Sequence, residues 1–177
     1  MARIHAETGN DAHAKTLGVI EVSVPDVVKQ LNLLDSIDYQ DAFAVTTAKP
    51  RTPEALMRDV FEGAPEWFLN AWSNILGKAI LGLPHGLDQR RSPDRVVGWD
   101  VVHSGGDVFV IGLDTPRGLD CRLFALNSPS QEIVGTYIRL NSAYVRQLWP
   151  TIRAGHRFFL PYLLRRSARR AASGAGQ

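Results

Sequence analysis

One histidine stands in a row of otherwise apolar residues. In YVRQLWPTIRAGHRFFLPYLLRR, Val145, Leu148, Trp149, Ile152, His156, Phe159, Leu160 and Leu163 recur at three- and four-residue steps. An imidazole in such a stripe has two readings. Either a backbone carbonyl or a carboxylate satisfies it at the edge of the core, or it points into a cleft as a ligand anchor or acid–base group. Asp41 and Tyr137 are the partners the sequence offers for acid–base work. Other charged residues fall on segments that read as strands: Asp38 and Asp41 around Tyr39, Asp120 near Arg122, and Arg139. Cross-strand ion pairs that fix register are their simplest role, at about 0.2–1 kcal/mol each. An Asp–Arg pair recognising a ligand is the alternative.

Other chemistry is absent at the level of motif. There is no nucleophile elbow, P-loop or dinucleotide fingerprint. His5, His13, His85, His103 and His156 show no metal-ligand spacing, and one cysteine cannot complete a zinc site with them. The expectation is no metal, no cofactor and no assigned catalytic residue. Cys121 alternates with leucines and reads as a small apolar core residue. Trp67, Trp72, Trp99 and Trp149 read first as core, although four indoles around one cleft would form a large aromatic lining.

Composition sets the frame. A chain of 177 residues with 45% hydrophobic and 21% charged residues fits one globular domain. No apolar run approaches the length of about 18 residues that spans a bilayer. The N-terminal segment lacks a signal-peptide pattern, and a lone cysteine suits a reducing cytoplasm. Net charge is only +2, but eight arginines and no acidic residue follow Glu132, while 12 basic and 18 acidic residues precede that stretch. Those arginines read as a solvated helix face. The sharper reading is weak contact with an anionic membrane or an acidic partner. RRSARR has no aromatic among its arginines, so no nucleic-acid partner is expected.

The elements that must position these groups are an extended VIEVSV at 19–24, a short helix in 26–34, and a strand in DYQDAFAVTT. Two helices follow. Thr52-Pro53-Glu54 starts the first and Gly63 ends it; Ala64-Pro65-Glu66 starts the second, and Gly82 and Pro84 stop it. Residues 85–94 read as a polar loop. Four strands come next: RVVGWDVVH, DVFVIGLD, GLDCRLFALN and QEIVGTYIRLN. DVFVIGLD is apolar on both faces, as a strand covered on both sides would be. In GLDCRLFALN, Leu119, Cys121, Leu123 and Ala125 share one face. The last helix is capped at Asn141-Ser142, with a restart expected near Pro150 and a kink near Pro161. The expected organisation is a disordered tail over 1–18, one domain over 19–168, and a frayed tail over 169–177.

This ordering resembles a family of bacterial proteins of unknown function within the START/polyketide-cyclase-like (SRPBCC) superfamily, the helix-grip fold. DYQDAF at 38–43, TPEALMRDVFEGAPEW at 52–67, GWDVVHSGGDVFVIGLD at 98–114, LDCRLFAL at 119–126 and IRLNSAYVRQLWPTIRAGHRFFLPYLLRR at 138–166 carry the likeness. It implies an α+β fold: a curved antiparallel sheet wrapped on a long C-terminal helix, with two helices after the first strand and an apolar cavity between sheet and helix. Members of the wider superfamily bind lipids, sterols, polyketides and plant hormones, and a few catalyse cyclisation or dehydration. The resemblance supplies no catalytic residue to carry over.

The expected function is non-enzymatic binding of a small hydrophobic or amphipathic molecule. Trp72, Trp99, Phe109, Ile111, Cys121, Leu123, Tyr137, His156 and Phe159 would line the site. One alternative is a cyclase- or dehydratase-like enzyme using His156 with Asp41 or Tyr137. Another is an interaction module built on the basic C-terminal end.

Overall fold

The computed structural model describes residues 18–83 and 92–174. Seven strands form one antiparallel sheet: β1 (Val19–Glu21), β2 (Tyr39–Thr46), β3 (Arg95–Val96), β4 (Trp99–Gly105), β5 (Val108–Asp114), β6 (Leu119–Ser128) and β7 (Gln131–Leu140). Their order across the sheet is β1-β2-β7-β6-β5-β4-β3. Short turns make β4 to β7 sequential neighbours. The chain closes by pairing β7 with β2, a register that sets Asp41 opposite Thr136. A register shift between Val101 and His103, where β4 meets β5, adds bend and twist of the kind bulges supply.

Four helices accompany the sheet: α1 (Asp26–Lys29), α2 (Pro53–Glu62), α3 (Glu66–Ala71) and α4 (Ala143–Gly174). Thr52 caps α2 by accepting from the Ala55 N–H at 3.3 Å, with Pro53 at its first position. α3 runs on into a π-helical segment, Trp72–Ile80, which closes with a bond from the Leu81 N–H to the Leu76 carbonyl at 2.8 Å. The long helix crosses the concave face of the curved sheet, the helix-grip arrangement.

Alternation sorts the sheet into two apolar faces. The inner face carries Phe43, Val45, Phe109, Ile111, Leu123 and Val134, packed with Leu56, Met57 and Val60 of α2 and Leu160, Leu163 and Leu164 of α4. The outer face carries Ala42, Ala44, Val110, Phe124, Ile133 and Tyr137. Val24, Val28, Leu31, Leu33 and Leu34 of the segment around α1 cover that outer face. This second cover explains why β5 is apolar on both sides.

Polar clamps hold the layers. Arg51 donates to Glu132 at 2.6 Å and to Asp59 at 2.6 Å, and Ser167 and Arg170 of α4 also donate to Asp59. Burial works to raise the Asp59 carboxyl pKa, but the Ser167 hydroxyl and the Arg170 and Arg51 guanidiniums outweigh it and hold it below the ordinary value. Asp120 and Arg139 are cross-strand partners at 2.7 Å, whereas Arg122 pairs with Asp114.

Several expectations change. RVVGWDVVH is two strands, β3 and β4, folded back at Val97 and Gly98, whose φ values of 47° and 85° suit a two-residue hairpin turn. The helix expected in 26–34 is only Asp26–Lys29. α4 is continuous through Pro150 and Pro161 rather than restarting. Core residues on both sides of each proline, Val145 and Leu160 among them, hold it to one sheet face. It extends to Gly174, with Ser167 and Arg170 anchored on Asp59. Pro84, most of the 85–94 loop, the tail up to residue 17 and residues 175–177 lie outside the described residues.

Candidate functional site

Between the inner sheet face, the π-helical segment and α4 lies a cavity of about 270 Å³. All four tryptophans of the chain, Trp67, Trp72, Trp99 and Trp149, line it. Phe68, Trp72, Trp99 and Phe159 form a continuous aromatic wall, with centroid separations of 5.6 Å for Phe68–Trp72, 6.2 Å for Trp72–Trp99 and 5.1 Å for Phe68–Phe159. The sheet contributes Leu113, Leu119, Cys121, Leu123 and Ile138. The polar groups of the wall are Thr151, His156, the Cys121 thiol and the indole N–H groups, of which the buried Trp99 N–H has no hydrogen-bond partner among the described residues. Trp67, Ile75 and Thr151 are lining residues that are also exposed, so the mouth lies between α4 and the π-helical segment, which forms a lid over the cavity.

The lid and the helix each carry a feature that widens this space. The π-helical segment presents Trp72, Ile75, Leu76 and Ile80 to the cavity, and such irregular turns often accompany functional sites. Gly155 sits inside α4 on the cavity wall; a Cβ added there would meet nothing nearer than Phe159 Cδ2 at 4.0 Å. Arg117 fastens the end of the lid by donating to the carbonyls of Ala79 and Ile80 at 2.7 and 2.9 Å.

A polar cluster borders the apolar chamber. His156 Nε2 lies 3.0 and 3.2 Å from the Asp41 carboxylate oxygens and 3.2 Å from Thr136 Oγ1. With a carboxylate as acceptor, Nε2 is the ring nitrogen that donates. The Tyr39 hydroxyl donates to Asp41 at 2.7 Å. Burial, then the Asp41 hydrogen bond, pushes the Tyr39 pKa up, so the phenol stays protonated as a donor. Asp41 and Thr136 are buried, paired by the β2–β7 register, and reached by one helical side chain. Nδ1 of His156 makes no hydrogen bond among the described residues, and the residue borders the cavity. It is therefore the nitrogen able to meet a guest.

Both readings of His156 meet in this geometry: a carboxylate satisfies one nitrogen while the ring borders the cavity. Trp72, Trp99, Cys121, Leu123, His156 and Phe159 all fall on the cavity wall. Phe109 and Ile111 lie on the same sheet face but are packed beneath α2, in the filled part of the core. Tyr137 is on the outer face against Phe124, at 5.5 Å between ring centroids, so it joins neither the cavity nor His156. Strand alternation decides this: Thr136 faces inward and its neighbour must face outward. Tyr39 takes the place expected of Tyr137. Burial pushes the Cys121 thiol well up, so it is a wall atom rather than a thiolate nucleophile. Trp67, Trp149 and Gly155 line the cavity in addition to the residues expected there; Trp149, two turns before His156 in the same stripe, carried a signal, whereas Gly155, its immediate neighbour, carried none.

No family model, curated protein or solved structure matches the chain. What stands of the superfamily resemblance is the architecture: a seven-stranded antiparallel sheet with a long C-terminal helix. Among the described residues, no helix is long and apolar enough to cross a membrane.

Proposed function

We propose that the chain binds a small apolar or amphipathic molecule in the cavity, with His156 as the polar anchor. The observation that supports this most is the lining: four tryptophans and a ring of aliphatic side chains enclose open space instead of filling it. Cores normally close such voids, since an empty cavity costs stability in proportion to its volume. Size narrows the guest. A cavity of about 150 Å³ takes benzene, so 270 Å³ suits a two-ring or roughly ten-carbon molecule. Membership of the START/polyketide-cyclase-like superfamily and a bacterial, cytoplasmic setting belong to the same proposal.

Native mass spectrometry with organic extraction of the purified chain tests it, together with thermal shifts for 2-naphthol and decanoic acid. A co-purifying small molecule, or a melting-temperature rise that grows with probe concentration, is the expected result. No occupant and no shift with either probe contradicts it.

The Asp41–His156 pair favours a second reading, an acid–base enzyme of the cyclase or dehydratase type. Asp41 would orient the imidazole, while Nδ1 would exchange a proton with a guest in a dry chamber. Mass spectrometry of the extracted occupant, before and after incubation, separates the two readings. Loss of one water from the occupant that stops in His156→Ala favours the enzyme; recovery of unchanged molecule favours binding alone.

A further inference from the structure

We propose that the exposed face of the C-terminal half of α4 docks on an anionic phospholipid bilayer, with the cavity mouth beside the contact. Thr151, Phe158, Tyr162, Arg165, Arg166 and Arg169 fall within an arc of roughly 100° at 3.6 residues per turn. Phe158 is 67% exposed and Tyr162 37%. Near them, on the mouth, Trp67 is 56% exposed and Ile75 59%. Trp67 stands 6.1 Å from Phe159, whose ring is 5.1 Å from Phe158. One side of the molecule thus shows large apolar side chains at the entrance to the cavity, with cations further along the same helix.

The charge on that face is uncompensated. Of the eight arginines after Glu132, Arg139, Arg146, Arg157 and Arg170 pair with Asp120, Asp38, Glu21 and Asp59. Arg165, Arg166 and Arg169 are exposed, and among the described residues none of them forms an ion pair. They frame a shallow groove with Tyr162, Arg170 and Ser173. Guanidiniums beside exposed aromatics match a bilayer surface, where the cations meet anionic headgroups and the aromatics enter the acyl boundary. A nucleic acid would want several aromatics interleaved with the cations as stacking platforms; here Tyr162 alone adjoins them, and no aromatic follows it in the sequence. An apolar guest could then pass between bilayer and chamber without crossing water. That purpose rests on the cavity reading; the docking itself does not.

Co-sedimentation of the full chain with vesicles tests the docking, using phosphatidylcholine alone or mixed with phosphatidylserine, without added ligand. Binding to the mixed vesicles only, lost at high salt, is expected. R165A/R166A/R169A should weaken it on the order of a hundredfold, and Phe158→Ser by about tenfold, both with an unchanged melting temperature. Equal binding to both vesicle types, no binding, or full binding by the triple variant overturns the proposal, as does tighter binding to a single-stranded oligonucleotide. Uptake of 2-naphthol by the same variants reports separately on the cavity. A wild-type chain that takes up 2-naphthol but does not dock on the mixed vesicles would sink this proposal alone.

Discussion

Asp41 is the residue on which the polar edge of the cavity turns. Its buried carboxylate accepts from Tyr39 and His156 and has no access to water. Replacing it with Asn keeps the shape, but an amide has one oxygen for two donors and places an N–H₂ group among them. Asp41→Asn should therefore cost about 1–3 kcal/mol in urea unfolding. It should also release the His156 ring from its fixed tautomer, readable in the ¹⁵N spectrum of the imidazole. A variant with wild-type stability and an unchanged spectrum would mean that Asp41 does not hold the ring. His156 itself was visible in the sequence as the odd member of an apolar stripe. Its true neighbours were not, because the β2–β7 pairing that brings Asp41 and Thr136 together spans almost a hundred residues of chain. Tyr137 shows the limit well: β7 is apolar on both faces, so its alternation alone does not say which side is inner.

At the scale of elements, two junctions carry most of the fold's specificity. The first is the close approach of β6, β7 and β2 at Gly135, where an added Cβ would collide with the Phe124 ring and the Asp41 carbonyl. Gly135→Ala should lower stability by about 1–3 kcal/mol through overpacking, checked by thermal and chemical unfolding. A neutral result would mean that this sheet is looser than described. The second is the Asp59 clamp between α2 and α4. Its folded carboxyl pKa lies below the ordinary value of 3.8, so the clamp stabilises fully above that pH and is lost as pH falls through the lower, folded value. Asp59→Asn should cost stability at neutral pH and flatten the loss of stability below about pH 4. An acid profile identical to wild type would show that the clamp does not contribute. Helix starts were legible because Thr52-Pro53 and Pro65-Glu66 act locally. The Val97–Gly98 hairpin was not, since valine at positive φ is a local cost that only the surrounding packing explains.

For the molecule as a whole, the sheet is sandwiched: α2 and α4 on one face, the segment around α1 on the other. The curved-sheet-and-helix architecture could be read from four consecutive strands and one long amphipathic segment. The outer cover could not, because the apolar side of the segment over 26–34 does not say which sheet face it packs on. Nor could the cavity: spacing says which residues face inward, while only packing says whether their volumes meet. Gly155 offers the key. Glycine inside a helix costs about 1 kcal/mol relative to alanine, and here it borders the chamber with room beyond its Cα. Leucine at that position should fill the space and gain helix propensity together.

The most direct test is a 2-naphthol titration of the wild-type chain and Gly155→Leu, followed through the fluorescence of the four cavity tryptophans. The account predicts saturable quenching of the wild type with a Kd of about 10–100 µM. It predicts at least a roughly tenfold weaker response from Gly155→Leu, whose melting temperature is equal or higher. Equal binding by the two proteins, or none by the wild type, would contradict the claim that this chamber receives a guest.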